Sequence, residues 1–379
     1  MPETTVDAAT ATDQLALEFG DFGDSGRSAA SQPIARTQAI RRSNRRSTND
    51  PTPAPAASTS TDVPTNDLVY AGPDGPRVRF GTSSWAYEGW KGQIYQRDYS
   101  EARFSRESLA EYATYAVGGT RLFGTVGVDH SFYRPPTRAQ WQRYADLVPD
   151  DFQFCLKVWE ELTIPTFAAI PRYGDKQGTV NPRFLDATLF TDMVAGPTAA
   201  GLGNKLGVFL FEFQRTGIAP ELFLDRLEGF LSALPHTYRY AVEIREQTLL
   251  NAPNASRYRA ILERTEVAHV YNHWTAMPSL ADQHRQLGGT FTAPTVVTRL
   301  LTPRGVRFQT AVDRYKPYNR LVAPIPTMRD DAAALIEQAV AGGRRPYVLV
   351  NNRSEGNSPL TIKALVTLLK SRHALHELA

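Results

Sequence analysis

From Arg77 onward, short apolar runs alternate with segments whose apolar residues recur every three or four positions. Eight of the runs read as strands: VRFGTS, RLFGTVGVD, FQFCLKV, KLGVFLFEF, RYAVEIR, VAHVYN, TVVTRLL and PYVLVNN. Between them lie amphipathic stretches such as SRESLAEYATYA, TRAQWQRYADLV, PELFLDRLEGFLSAL, SRYRAILERT and RDDAAALIEQAVAGG, with Pro220 at a helix start and Gly342-Gly343 at a helix end. Strand and helix alternating eight times predicts an α/β chain, a single (β/α)8 TIM-like barrel over about residues 75–375. An open doubly wound sheet is the competing arrangement. That fold usually carries a dinucleotide or phosphate loop, and neither G-x-G-x-x-G after a strand nor G-x-x-x-x-G-K-[ST] occurs. GLGNKLG, Gly201 to Gly207, precedes its strand instead of following it. No cofactor is expected. The seventh strand is followed by TPRGVRFQTAVDRYKPYNRLVAPIPT, too long for an ordinary connection and of the kind that forms a lid or a site wall.

Residues 1–70 have another texture, rich in Ala, Ser, Thr, Pro and Asp, and predict a disordered low-complexity tail. Its charge is blocked: six acidic residues and no basic one over 3–24, then five arginines and no acid over 36–46. A solvated polyampholyte is the simpler reading and an arginine patch for nucleic acid the sharper one. LALEFGDF, residues 15–22, has the look of a short docking segment. The whole chain balances 42 Lys and Arg against 39 Asp and Glu, too even to point to nucleic acid by itself. No apolar run is long enough to cross a bilayer, and MPETTVDAATATDQ has no apolar core of a secretory signal. A cytoplasmic protein without membrane partners is expected. The single cysteine, Cys155, excludes an internal disulfide framework and sits in an apolar run as a buried thiol.

Candidate chemistry follows from the barrel, because this class carries its site at the C-terminal ends of the strands. Alternation places Gln153, Cys155 and Lys157 on one face of the third strand, and Ala241, Glu243 and Arg245 on one face of the fifth. The outer face must meet apolar helices, so the charged trio belongs on the inner face near the mouth. Two accounts are open: an ion-pair network closing the barrel, or a polar site in which Glu243 is acid or base and the cations hold an anion. Further strand-end groups are Asp129, His130, Glu212, Gln214, Asn272, His273, Arg299, Asn351 and Asn352. Local spacing supports no metal site, and no G-x-S-x-G elbow supports a serine hydrolase. Three large aromatics, Trp85, Tyr87 and Trp90, follow the first strand in a glycine-rich loop beside Lys91. They make either a wall for a ligand or a plug on the core.

In their order, FGTSSWAYEGWKGQIY, HSFYRPPT, FQFCLKV, LGVFLFEF, AVEIRE and YVLVNNRSEGNSPLTIKAL resemble the YecE-like family, domain of unknown function 72, over Arg77 to Leu369. The resemblance implies a TIM-like barrel and no established reaction. Positions similar to the family's recurrent set are Gly81, Thr82, Trp85, Tyr87, Trp90, Tyr133, Lys157, Glu243, Arg245, Arg299, Asn351, Asn352 and Gly356. The chain departs from the pattern where many members read Val-Glu-Ile-Asn and it reads Val126-Gly127-Val128-Asp129, so that a carboxylate is lost or moved by two residues. It departs again at Asn272-His273, usually acidic, and at Leu301-Thr302, where His-Gly often stands.

The resulting expectation is an enzyme on a small polar, sugar-like or phosphorylated ligand. Glu243 and Lys157 are its catalytic candidates. Trp85, Tyr87, Trp90, Tyr133, Arg245, Asn272, Arg299, Asn351 and Asn352 are the ligand-binding candidates, and no metal is expected. A barrel without activity that serves as a binding or scaffold protein is the alternative, as is a nucleic-acid enzyme aided by the arginine tail. Oligomeric state is not legible.

Overall fold

The computed structural model describes residues 78–372. The expected tail over 1–70 lies outside them. Eight strands run parallel: β1 (Arg79–Thr82), β2 (Thr125–Val128), β3 (Gln153–Lys157), β4 (Leu206–Phe213), β5 (Tyr240–Ile244), β6 (Ala268–His273), β7 (Thr295–Leu300) and β8 (Arg345–Val350). From β2 to β8 each strand pairs with its neighbour in chain order, and β1 pairs with β8. Of the run RLFGTVGVD, only the second half joins the barrel. Thr120–Arg121 pairs instead with Ala116–Val117 in a small antiparallel hairpin.

The seam between β1 and β2 is closed by one backbone hydrogen bond, from Gly124 N to the Phe80 carbonyl at 3.0 Å. Two glycines let the strands come together. A Cβ on Gly81 would stand 2.1 Å from the Thr125 carbonyl oxygen, and one on Gly127 would stand 2.8 Å from that of Ser83. Helix α1 (Glu101–Thr114) adds a staple: Tyr112 Oη accepts from Thr82 N at 2.9 Å and donates to the Thr125 carbonyl at 3.2 Å.

Outside the barrel pack α2 (Arg138–Ala145), α3 (Gly196–Leu202), α4 (Pro220–Ser232), α5 (Asn254–Arg264), α6 (Leu280–Gln286), α7 (Phe308–Tyr315), α8 (Pro326–Ala341) and α9 (Ser358–Ser371). Pro220 is the first residue of α4, where its missing N–H costs nothing, and Gly342 follows the last residue of α8. The outward strand residues and the helices form one large core. A second, separate cluster fills the barrel itself, including Cys155, Val208, Leu210, Ala241, Val270 and Leu349. That inner cluster sets the floor on which the charged mouth residues stand. No helix among the described residues is long and apolar enough to cross a membrane.

Candidate site at the C-terminal mouth

The period of two along each strand decides what points into the mouth. On β4 the inner face reads Val208, Leu210, Glu212, and on β5 it reads Ala241, Glu243, continued by Arg245. On β6 the series Ala268, Val270 leads to Asn272; on β7, Val297 leads to Arg299; on β3, Cys155 leads to Lys157. Register then sets neighbours. Glu212 is the partner of Glu243, and Asn272 is the partner of Arg299.

Three cations and three carboxylates meet there. Glu212 Oε2 lies 3.0 Å from Lys157 Nζ, 2.7 Å from Arg245 Nη2 and 3.0 Å from Arg299 Nη1. Glu243 Oε1 lies 2.8 Å from Arg245 Nε, and its Oε2 accepts from Arg299 Nη1. Arg299 Nη2 faces Asp129 at 3.6 Å. Glu212 and Glu243 have side chains with no exposure, whereas Lys157 keeps 11% and Asp129 25%. The water side of the ring is therefore Lys157 and Asp129.

Burial pushes the Glu212 carboxyl up, but Arg245, Lys157 and Arg299 together outweigh it and hold its pKa below the ordinary carboxylate range. Burial works against the charged form of Arg299, and Glu243, Asp129 and Glu212 more than restore it. The ring is ionised throughout these two members. Its shape is fixed from outside by aromatic rings. Lys157 Nζ sits 4.2 Å from the centre of the Phe132 ring, and the Arg245 guanidinium 4.1 Å from that of Trp274. Ser131 Oγ lies 2.6 Å from the carbonyl oxygens of both Val128 and Lys157, shares its one proton between them, and ties the ends of β2 and β3 together.

Of the residues singled out in the sequence, Lys157, Glu243, Arg245 and Arg299 belong to this ring. Asn272 stands abreast of Arg299; its Nδ2 donates to the Ile244 carbonyl at 2.9 Å and its Oδ1 has no hydrogen-bond partner among the described residues. Asn351 continues the inner series of β8, and its Oδ1 accepts from Arg353 N at 2.9 Å. Asn352 turns the other way, accepting from Ser358 N at 2.9 Å and Ser358 Oγ at 2.8 Å to fasten the start of α9. Tyr133 lies at the rim under the Arg172 guanidinium, 5.3 Å from its ring centre.

The aromatics of the first loop are divided. Trp85 Nε1 donates to the Ser105 carbonyl at 2.7 Å, and its ring meets Tyr144 and His130 edge-on in the outer core. Trp90 is fully buried between Tyr95 and Tyr112. Both rings belong to the large outer core. Tyr87 is half-buried between Trp90 and Tyr318, the latter supplied by the long segment after β7, whose Pro317 carbonyl presses on Gly89. The loop is thus a plug held down by that excursion.

Glu212 is the hub that the sequence reading passed over as a strand-end carboxylate. The signal was present, since Val208, Leu210 and Glu212 alternate as Cys155 and Lys157 do. Gly127 also has an explanation: its position faces the Ser83 carbonyl too closely for a side chain, and Asp129, two residues on and on the same face, brings a carboxylate to Arg299. Among the described residues, no three His, Cys, Asp or Glu side chains are grouped to hold a metal ion. Asp129, Glu212 and Glu243 are each engaged with a cation instead.

A parallel eight-stranded barrel with a polar, ionised ring at the C-terminal mouth defines a TIM-like barrel protein. The family model described as "Protein of unknown function DUF72" matches residues 79–378, and the chain belongs to that family. A crystal structure of a DUF72 family protein from Enterococcus faecalis V583 is similar at 15% identity, covering 78% of this chain and 99% of that chain with a TM-score of 0.53. A DUF72 family protein from Thermotoga maritima MSB8 is similar at 18% identity, covering 77% of this chain and 99% of that one with a TM-score of 0.50. At such identities the likeness establishes the fold alone. None of the curated proteins compared with the chain matches it.

Proposed function

We propose that the barrel mouth binds and acts on a small polar, sugar-like molecule. The observation that carries this reading is the charge-balanced ring, in which Asp129, Glu212 and Glu243 face Lys157, Arg245 and Arg299. A doubly charged phosphate would enter with its charge uncompensated, whereas a neutral polyol needs donors and acceptors in fixed directions. Asn272 Oδ1 and Ser83 Oγ, both buried and without partners among the described residues, add such groups near the same strand ends.

Glu243, expected from the sequence to be the acid or base, has both oxygens on guanidinium groups and no exposure. Its role in this reading is a fixed counter-charge that orients Arg245 and Arg299. Contact with the ligand falls to Lys157, and proton transfer at the open side falls to Asp129, the carboxylate that water reaches. Binding without turnover is the second reading, favoured by the same ion pairs at both Glu243 oxygens.

The experiment is a thermal-shift and calorimetric panel of neutral monosaccharides, polyols and sugar phosphates, followed by Lys157→Met and Asp129→Asn. A neutral member should bind, Lys157→Met should abolish that binding, and Asp129→Asn should retain binding while stopping conversion. Binding that survives Lys157→Met, or a panel with no neutral binder, would overturn the assignment. Binding with no conversion in the unaltered protein selects the second reading.

A further inference from the structure

At the opposite end of the barrel, where the strands begin, lies a cleft of about 200 Å³. Leu231 and Leu234 supply apolar walls, and His236, Arg239, Arg345 and Glu266 supply the polar lining. Arg239 is committed to the barrel floor, donating to the carbonyls of Leu206 and Gly207 at 2.8 and 3.0 Å. Arg345 is exposed, and its guanidinium makes no ion pair with a described residue. Ligand pockets for whole cofactors run from about 300 Å³ upward, so this cleft has room for one or two side chains of a peptide.

The chain enters the barrel beside that cleft. Arg79 is the register partner of Tyr347 in the parallel pair β1–β8, which puts the start of β1 one strand spacing from the start of β8, where Arg345 stands. Val78, the first described residue, therefore lies beside the rim of the cleft. Within them, residues 15–24 read LALEFGDFGD, with Leu15, Leu17, Phe19 and Phe22 set among Glu18, Asp21 and Asp24 and no basic residue. The carboxylates of this stretch complement His236 and Arg345 in a lining where Glu266 is the one acid, and its apolar side chains match Leu231 and Leu234. From Asp24 to Val78 the chain has 54 positions, and a chain of that length can reach roughly 40 Å, ample to return to Val78. Tethering of this kind gives a local concentration on the order of millimolar, so a weak contact is occupied.

We propose that the cleft at the strand-start face holds the acidic segment 15–24 of the chain's own N-terminal region, with Arg345 pairing one of its carboxylates. Hydrogen exchange of the full-length protein, read by mass spectrometry at low and high salt, tests this. At low salt the amides of 15–24 should exchange roughly tenfold more slowly than those of 50–70, and high salt should remove most of the difference. Arg345→Glu should abolish the protection, Arg345→Lys should keep it, and Arg345→Glu with Glu18→Arg should restore part of it. Protection that persists in Arg345→Glu would mean that the acidic stretch pairs with the arginines at 36–46, and overturns the proposal. So would protection that grows with protein concentration, which marks docking on a second copy, or exchange at the unprotected rate at low salt.

Discussion

Glu212 and Glu243 stand side by side on β4 and β5 as register partners, both side chains without exposure. Like charges abreast in a sheet destabilise it. They are tolerated here because Arg299 reaches from β7 to both carboxylates and Arg245 grips both from the open side. The arrangement makes the barrel mouth a unit: no member can be removed without leaving a charge buried.

Arg299→Met should therefore cost about 3–5 kcal/mol, the range for a buried ion pair left half-broken. Urea unfolding checks it. Adding Glu243→Gln to the same chain should recover part of the loss, because one of the two abutting carboxylates is then neutral. A cost below about 1 kcal/mol for Arg299→Met would show that water screens the ring as it screens a surface pair.

A second expectation concerns acid. His269 and His273 on β6 are buried, and burial first, aided by His284 for the one and Arg304 for the other, lowers each pKa to about 4. In the unfolded chain each returns to about 6.5. The unfolded state then binds more protons between these values, so stability is full above about pH 6.5 and falls as pH drops toward 4. The contribution is on the order of 2–4 kcal/mol for each histidine. Denaturant unfolding at a series of pH values should show this slope, and His273→Gln should flatten it. A profile indifferent to that change across the window would remove His273 as its cause.

The barrel was legible because each strand carries a continuous apolar face whose period is two. The same period places Lys157, Glu243 and Arg245 on the inner face. What alternation does not carry is depth. Glu243 and Lys157 read alike in sequence, yet one lies under two guanidinium groups and the other reaches water, because β4 and β7 contribute Glu212 and Arg299 between them. Nor does a single strand-end loop announce what covers it. Trp85 and Trp90 are core residues because α1, α2 and the 301–325 excursion close over them, and that closure is a long-range contact. Asn351 and Asn352 are adjacent in sequence and on opposite sides of the strand end, one toward the mouth and one fastening α9.

The seam offers the last prediction. A barrel is closed only if its first and last edges meet, and β1 and β2 share one backbone hydrogen bond at their start. Above it, Tyr112 Oη links Thr82 N to the Thr125 carbonyl and bridges the two edges. Tyr112→Phe removes that bridge with little change in volume and leaves a buried amide unsatisfied. The cost should be about 1–3 kcal/mol. Gly81→Ala should cost more, since its Cβ would fall 2.1 Å from a backbone oxygen that cannot move without opening the edge. Hydrogen exchange distinguishes a seam from a merely tight core. In Tyr112→Phe the amides of residues 79–83 and 124–128 should lose protection ahead of those on β4 and β5. Uniform loss around the barrel would show that Tyr112 stabilises the whole core and does not close an edge.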